Sequence, residues 1–330
     1  MQITGAKVLA SVIHVAAAVI RDSHGRILIA KRPAHVHMGN LWEFPGGKLE
    51  AGESARDALV RELREELDIE VTDAEPLIQI HHDYTDKSVR LDVWTVSEFT
   101  GNASGREGQE VRWVAAAELI NYSFPAANYP IVNAAMLPDQ CFITGGGNSV
   151  DEYIARIVRA SELGAKLFIL RPLAVSCRVE LIQQRLDELE ILDSVHLQWH
   201  SDWFEGDLES ALAFAGRKPH YGVHFQAAFL SSLLNAKAEF QKGSWISASC
   251  HGSDEVQMAA RSGLTFALLS PVKATKEYLP EQLLGWSGFT QIAEPAGLPV
   301  YALGGLTASD TARAKRGGAQ GVAFVKHWWA

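Results

Sequence analysis

From residue 14 the chain reads HVAAAVIRDSHGRILIAKRP, two apolar runs with polar residues between them around His24-Gly25, and this pattern predicts two strands joined by a turn. Farther on the apolar period lengthens. Ala55, Leu59, Leu63 and Leu67 recur every fourth residue with Ala58 and Val60 beside them, so residues 55–67 predict a helix with one stripe turned to a core. Past MLPDQCFITGGGNSV the pattern changes again. The short apolar runs QCFITG, AKLFILR, SVHLQWH, YGVHFQ, SWISASCH, TFALLSP, PVYALGG and GVAFVK alternate with longer helical stretches. Eight strands separated by helices predict a parallel sheet, and eight is the number that closes a β/α barrel. A chain of 330 residues is long enough for two cores. The expected division is residues 1–137 and 138–330.

Composition changes this picture little. Apolar residues make up 47% of the chain and no run of them approaches a membrane span, which points to a globular protein away from membranes. No convincing signal peptide opens the sequence, and Cys141, Cys177 and Cys250 lie far apart without metal-ligand spacing. Both features suit buried thiols in a reducing cytoplasm. A net charge of −9 excludes a nucleic-acid polymer as the expected partner, because no basic stripe would replace the phosphate counterions.

The candidate chemistry concentrates in EFPGGKLEAGESARDALVRELREELDIEV, residues 43–71. Glu62, Glu65 and Glu66 stand at i, i+3 and i+4 on one face of the expected helix, where like charges repel by roughly 0.2–0.5 kcal/mol per pair. Such a face is either solvated surface or a site for a hard divalent cation. Glu53 can add a fourth carboxylate, and Arg61 has the planar fork to hold one in place. Gly46 and Gly47 let the backbone turn tightly and approach a ligand. The spacing from Gly47 to Glu53 and on to Arg61-Glu62-Leu63-Arg64-Glu65-Glu66 resembles the Nudix box, the signature of the Nudix hydrolases. One position departs from it: Asp68 stands where the family has a glycine that closes the helix in a left-handed conformation, so a strained cap is expected there.

HMGNLWEFPGG, GREGQEVRWV and FPAANYP extend the resemblance, over roughly residues 12–137, to the MutT subgroup. It implies an α/β/α sandwich with a mixed sheet. It also implies cleavage of oxidised guanine nucleoside triphosphates, 8-oxo-dGTP above all, to the monophosphate and pyrophosphate, which sanitises the nucleotide pool. Magnesium, with manganese as a substitute, is the implied cofactor. The implied ligands are the Gly46 carbonyl, Glu62, Glu66 and Glu107. Glu53, Arg61, Glu62 and Glu65 make up the implied catalytic set, with Glu62 the first choice as base. Lys31 and Arg32 match a basic pair near the α-phosphate or base; a solvent-exposed strand end is the alternative. Phe44 and Tyr84 flank the base or belong to the core.

Asn128 carries the substrate argument. An amide offers a donor beside an acceptor. Guanine shows two acceptors, O6 and N7, whereas the 8-oxo base carries a hydrogen on N7 and shows an acceptor and a donor. Asparagine thus pairs twice with the oxidised base and leaves an unpaired carbonyl against guanine. In the alternative, Asn128 holds a turn beside Pro130.

The second half resembles the thiamine phosphate synthase and TenI family through LFILR, GVHF, SCHGSDEVQMAARSGLTFALLSPVKATK and PVYALGGLTASDTARAKRGGAQGVAFV. That implies a (β/α)8 TIM barrel and a phosphorylated thiamine-pathway ligand. The strand ends carry Arg171, His224, His251, Lys276, the turn at Gly304 and Gly305, and Lys326. Arg171, His251, Lys276, Gly304 and Gly305 form the expected ligand site, and the glycine turn is either a phosphate site or a plain strand-to-helix turn. Two departures matter. Leu173 replaces the lysine two residues beyond Arg171, and the regions LQWHSDWFEG and HFQAAFLSS lack the second of two magnesium-binding aspartates. Three functions therefore stand: an oxidised-nucleotide diphosphatase with an auxiliary or degenerate barrel, a bifunctional enzyme of thiamine metabolism, or a hydrolase with a barrel that binds a phosphorylated ligand. The first is favoured.

Overall fold

A near-continuous apolar run, buried on both faces over its last five residues, places β1 (Val12–Ile20) inside the sheet of the first half of the chain. The description comes from a computed structural model and covers residues 12–85, 87–147, 149–173, 177–189, 195–236, 240, 243–275, 279–325 and 328–329. Two compact units divide the chain, residues 1–132 and 133–330.

In the first unit, β1 pairs antiparallel with β4 (Gly46–Lys48) and in parallel with β6 (Ser88–Gly101), which pairs antiparallel with β5 (Ile69–Asp83). The sheet is therefore mixed, in the order β4-β1-β6-β5. A second, antiparallel sheet has β2 (Ile27–Lys31) between β3 (Trp42–Glu43) and β7 (Val111–Val114). The turn expected at His24-Gly25 joins β1 to β2, with Asp22 accepting the His24 and Arg26 N–H groups.

Helix α1 (Ala55–Leu67) starts where the Ser54 side chain accepts the Asp57 N–H. Its stripe Ala58, Leu59, Leu63 and Leu67 is buried against Ala16, Ala18 and Ile20 of β1. Each leucine buried there contributes about 1.5–3 kcal/mol, which anchors the opposite, acidic face in one orientation. The helix ends at Asp68 in the left-handed conformation, φ 60° and ψ 40°. Aspartate replaces glycine there at a conformational cost of about 1 kcal/mol.

Helix α2 covers Tyr129–Met136. The second unit is a closed barrel of eight parallel strands: β8 (Gln140–Ile143), β9 (Leu167–Leu170), β10 (His196–His200), β11 (Tyr221–Phe225), β12 (Trp245–Cys250), β13 (Phe266–Leu269), β14 (Val300–Ala302) and β15 (Gly321–Phe324). Each of the eight apolar runs contributes one strand. Helices α3 (Val150–Glu162), α4 (Val179–Asp187), α5 (Leu208–Ala215), α6 (Leu230–Ala236), α7 (Ser253–Arg261), α8 (Gly285–Ala293) and α9 (Thr311–Arg316) alternate with them.

One residue of every pair faces the helices and the other fills the lumen, where Cys141, Ile143, Leu167, Ile169, Phe266, Leu268, Tyr301 and Ala323 pack together. The lumen also holds polar groups. Gln198 on β10 reaches Ser247 on β12, 3.1 Å away, past the intervening β11. Gly222 on β11 makes the crossing possible, since a Cβ there would lie 2.1 Å from Gln198 Nε2. No helix among the described residues is long and apolar enough to cross a membrane.

Candidate active site

The acidic face of α1 meets β4 at the two glycines. Gly46 pairs with Ala17 of β1 so closely that a Cβ would lie 2.1 Å from the Ala16 carbonyl oxygen, and its φ of 145° excludes most other residues. A Cβ on Gly47 would lie 2.1 Å from the carboxyl carbon of Glu62. The missing side chains are thus the space in which the Glu62 carboxylate lies.

Arg61 organises this face. Its Nε and Nη2 donate to the two oxygens of Glu53 at 3.0 and 2.9 Å, and Nη1 donates to Glu62 Oε1 at 2.9 Å. Nη2 also donates to the Lys48 carbonyl at 3.0 Å, tying the helix to the end of β4. Glu65 stands 3.7 Å from Nη1 and is exposed. Glu53 accepts the Glu50 N–H as well. The hydrogen bonds from Arg61 hold its carboxyl below the usual range. Glu53 is therefore fully engaged and acts as the counter-ion that positions Arg61.

Glu66 is in the opposite state. Burial pushes its carboxyl up to about 8; the Gly46 N–H, 3.3 Å away, opposes this, and the charges of Glu43, Glu62 and Glu107 reinforce it. Glu107 arrives on a loop docked to the end of α1: Gln109 Nε2 donates to the Glu66 carbonyl at 3.2 Å, and Gln109 Oε1 accepts the Glu107 N–H at 2.9 Å.

Glu43, which sequence reasoning passed over, completes the cluster. Burial raises its carboxyl, and Arg32, hydrogen-bonded to it, opposes the rise. Its one signal in the sequence was its place next to Phe44 in WEFPGG, ahead of the glycine pair.

Glu43, Glu53, Glu62, Glu66 and Glu107 thus gather here, with Arg32 paired to Glu43 and Arg61 to Glu53 and Glu62, and Glu66 has no ion-paired cation among the described residues. A hard divalent cation would relieve that surplus, and the donor set is all oxygen. Among the described residues no three His, Cys, Asp or Glu side chains form a ready cage. A divalent ion held there would complete its coordination with waters and a substrate's phosphate oxygens.

The other candidates surround the cluster. Arg32 also donates to the His37 carbonyl through Nε and Nη2, at 3.1 and 2.9 Å. Lys31 lies 3.6 Å from Glu110 and over the ring of Trp42. Phe44 is buried and stacked on Phe124, with ring centroids 5.5 Å apart and planes 13° from parallel. Tyr84 sits at the tip of the β5–β6 hairpin against His82 and His37, with centroids at 4.5 and 5.5 Å. Asn128 ends a short 3-10 turn that follows Phe124 and Pro125. Its backbone N–H donates to the Pro125 carbonyl at 2.9 Å, and its side-chain amide has no hydrogen bond among the described residues.

In the barrel, Arg171 and His251 follow β9 and β12, and Gly304 and Gly305 follow β14. The glycines are required by a close crossing: Cβ atoms would lie 2.8 Å from Pro271 Cα and 2.6 Å from the Ala274 carbonyl oxygen. His251 Nδ1 lies 3.3 Å from the Ser270 hydroxyl and carbonyl oxygens. Lys276 and Lys326 fall outside the described residues.

Two family models match the chain, NUDIX domain over residues 16–134 and thiamine monophosphate synthase over residues 140–327. The chain belongs to the Nudix family in its first half and to the thiamine monophosphate synthase family in its second. The Nudix half is 41% identical over 124 residues to the CTP pyrophosphohydrolase of Escherichia coli K12, a match covering 38% of this chain and 91% of that protein. It is 44% identical over 96 residues to the 8-oxo-dGTP diphosphatase of Proteus vulgaris, covering 29% of this chain and 86% of the relative. Identity to the 8-oxo-dGTP diphosphatase of Escherichia coli K12 is 36% over 120 residues, covering 36% and 93%. The chain is thus a Nudix hydrolase, an enzyme family that depends on a divalent metal, and both families act on small phosphate compounds.

Proposed function

We propose that the Nudix half hydrolyses oxidised purine nucleoside triphosphates of the 8-oxo-dGTP type to the monophosphate and pyrophosphate, with magnesium as the metal. The barrel is auxiliary to this activity. The observation that carries the reading is Asn128, whose amide has no hydrogen-bond partner among the described residues and stands close in sequence to Phe124 of the stacked Phe44–Phe124 pair. An amide on a 3-10 turn whose donor and acceptor have no partner among the described residues is equipped to read the acceptor–donor edge of the oxidised base.

Magnesium would be held by the Gly46 carbonyl, Glu62, Glu66 and Glu107. When bound it neutralises the phosphate chain and acidifies an attacking water. Arg61, itself locked by Glu53, keeps Glu62 against Gly47, and Glu62 takes the proton from the water that attacks the β-phosphorus. Lys31, the last residue of β2, and Arg32 just beyond it supply positive charge for the α-phosphate or base.

A second reading follows from the cytidine-nucleotide relative. Cytosine also shows an acceptor, N3, beside a donor, the N4 amine, and Asn128 can pair with both. The deciding measurement is kcat/KM for 8-oxo-dGTP, dGTP and CTP with magnesium, with products identified. A ratio of several hundred for 8-oxo-dGTP over dGTP, lost in Asn128→Ala, corresponds to roughly 3 kcal/mol or more of discrimination and supports the first reading. A ratio near one with fast CTP turnover overturns it in favour of the second.

A further inference from the structure

Seven of the eight barrel strands are followed by a helix, whereas beyond β15 the described residues hold no helix and carry Trp328 and Trp329. Phe168 of β9 and Phe324 of β15 face outward, in the layer that the helices cover elsewhere. Trp328 fills that layer here. Its ring meets Phe142 of β8 and Phe168 with centroids 5.4 and 5.7 Å away, and its Nε1 donates to the Phe324 carbonyl at 3.3 Å.

Trp329 is buried and reaches farther, to α3 and the loop beyond β8. Its Nε1 donates to the Gly146 carbonyl at 3.0 Å. A Cβ on Gly145 would lie 2.4 Å from Trp329 Cδ1, so the glycine leaves the space that the indole takes. Tyr153 of α3 meets the same indole with centroids 5.2 Å apart and planes at 70°.

The Tyr153 hydroxyl closes a ring of hydrogen bonds around the backbone of Arg171. It donates to the Arg171 carbonyl at 2.9 Å. Its one proton is used there, so at 3.0 Å it accepts from the Thr144 hydroxyl. Thr144 Oγ1 in turn accepts the Arg171 N–H at 2.8 Å. Burial raises the Tyr153 hydroxyl above the usual tyrosine range, which keeps it the neutral donor that the ring requires. Both backbone polar groups of Arg171 are therefore held by two buried side chains, while its own side chain is exposed at the strand ends.

We propose that the segment beyond β15 is a strap and that Trp329 is a positioning residue. Packed on Tyr153 and tied to the Gly146 carbonyl, it holds the loop beyond β8 and the backbone of Arg171 in one arrangement. The members of such a buried ring support one another, so loosening one loosens the rest. The strap acts within the barrel, whatever nucleotide the Nudix half hydrolyses.

The test is amide hydrogen exchange of the full chain, comparing residues 140–147 and 167–173 with strands β11, β12 and β13. Trp329→Leu removes the indole. Gly145→Ala displaces it with a methyl and leaves Tyr153 untouched, and Gly145 has no positive φ that alanine would strain. Each is expected to speed exchange at 140–147 and 167–173 by about tenfold, about 1.4 kcal/mol, and to leave the three other strands unchanged. Tyr153→Phe keeps the ring against Trp329 and removes the hydroxyl. It speeds exchange at 167–173 by a similar factor, and adding Trp329→Leu to it changes that region little further, because the strap acts on Arg171 through that hydroxyl. Unchanged exchange in Gly145→Ala and Trp329→Leu, a uniform rise across all the barrel strands, or effects of Trp329→Leu and Tyr153→Phe that multiply in full at 167–173 each overturns the proposal.

Discussion

Glu66 makes the first unit's stability depend on pH in a direction opposite to that of most carboxylates. Its carboxyl is pushed up to about 8 from an ordinary value of 4.5, so the folded state holds a proton that the unfolded state has already released. Stability from this group is therefore complete below pH 4.5 and is lost as pH rises toward 8. At about 1.4 kcal/mol per pH unit, the loss is of order 3 kcal/mol by pH 7 and 4–5 kcal/mol by pH 8. Glu66→Gln removes the titration and keeps the shape. The assay is amide hydrogen exchange of α1 in EDTA between pH 5 and 8, corrected for intrinsic rates, in the parent and the variant. The parent loses several kcal/mol of local protection relative to the variant across that window, and magnesium abolishes the difference. Parallel curves for the two proteins, or a difference that magnesium does not change, would refute the reasoning that Glu66 is a buried, unbalanced charge.

Other substitutions test the supports of the site. Gly47→Ala drives a methyl into the space of the Glu62 carboxylate, so kcat falls by two orders of magnitude or more while circular dichroism stays unchanged. Arg61→Lys keeps the charge and loses the fork that holds Glu53 and Glu62 together, so steady-state kinetics show a fall in kcat of roughly 10–100-fold with little change in KM. Asp68→Gly relieves the left-handed cap and raises stability by about 0.5–1 kcal/mol in urea unfolding; a loss would mean that the ion pair with Arg106 outweighs the strain.

Periodicity carried most of the fold. Helix α1 was readable because apolar residues four apart share one face of a helix and would scatter along a strand, and the eight barrel strands because apolar runs flanked by helical segments recur throughout the second half. The local box was readable too, since its residues lie within one helix and the loop before it. The pairing that sets their charge was not. Glu43 joins the cluster from a separate strand, and its partner Arg32 lies eleven positions away by sequence number on the far side of a loop. Nor does spacing reveal that Glu53 is consumed by Arg61 while Glu66 is left unbalanced, because that depends on which oxygen meets which donor in space. In the barrel, the absence of a second aspartate was visible in the sequence. The hydrogen bond from Gln226 that occupies the first one was not.

The two halves answer the same electrostatic problem differently. On α1, carboxylates outnumber the cations that face them, and the surplus calls for an external ion. Beyond β10, Asp202 finds an amide donor and an imidazole within the same barrel, and an external cation would have to displace them. Removing a hydrogen-bonded partner from a charged group costs about 1.5–3 kcal/mol, which weakens any ion that tries. Magnesium added to the full chain should therefore slow amide exchange in α1 and the 102–109 loop and leave the β10 and β11 strand ends unchanged. Equal protection at both places would mean that hydrogen-bond accounting for carboxylates does not identify where this protein takes a metal.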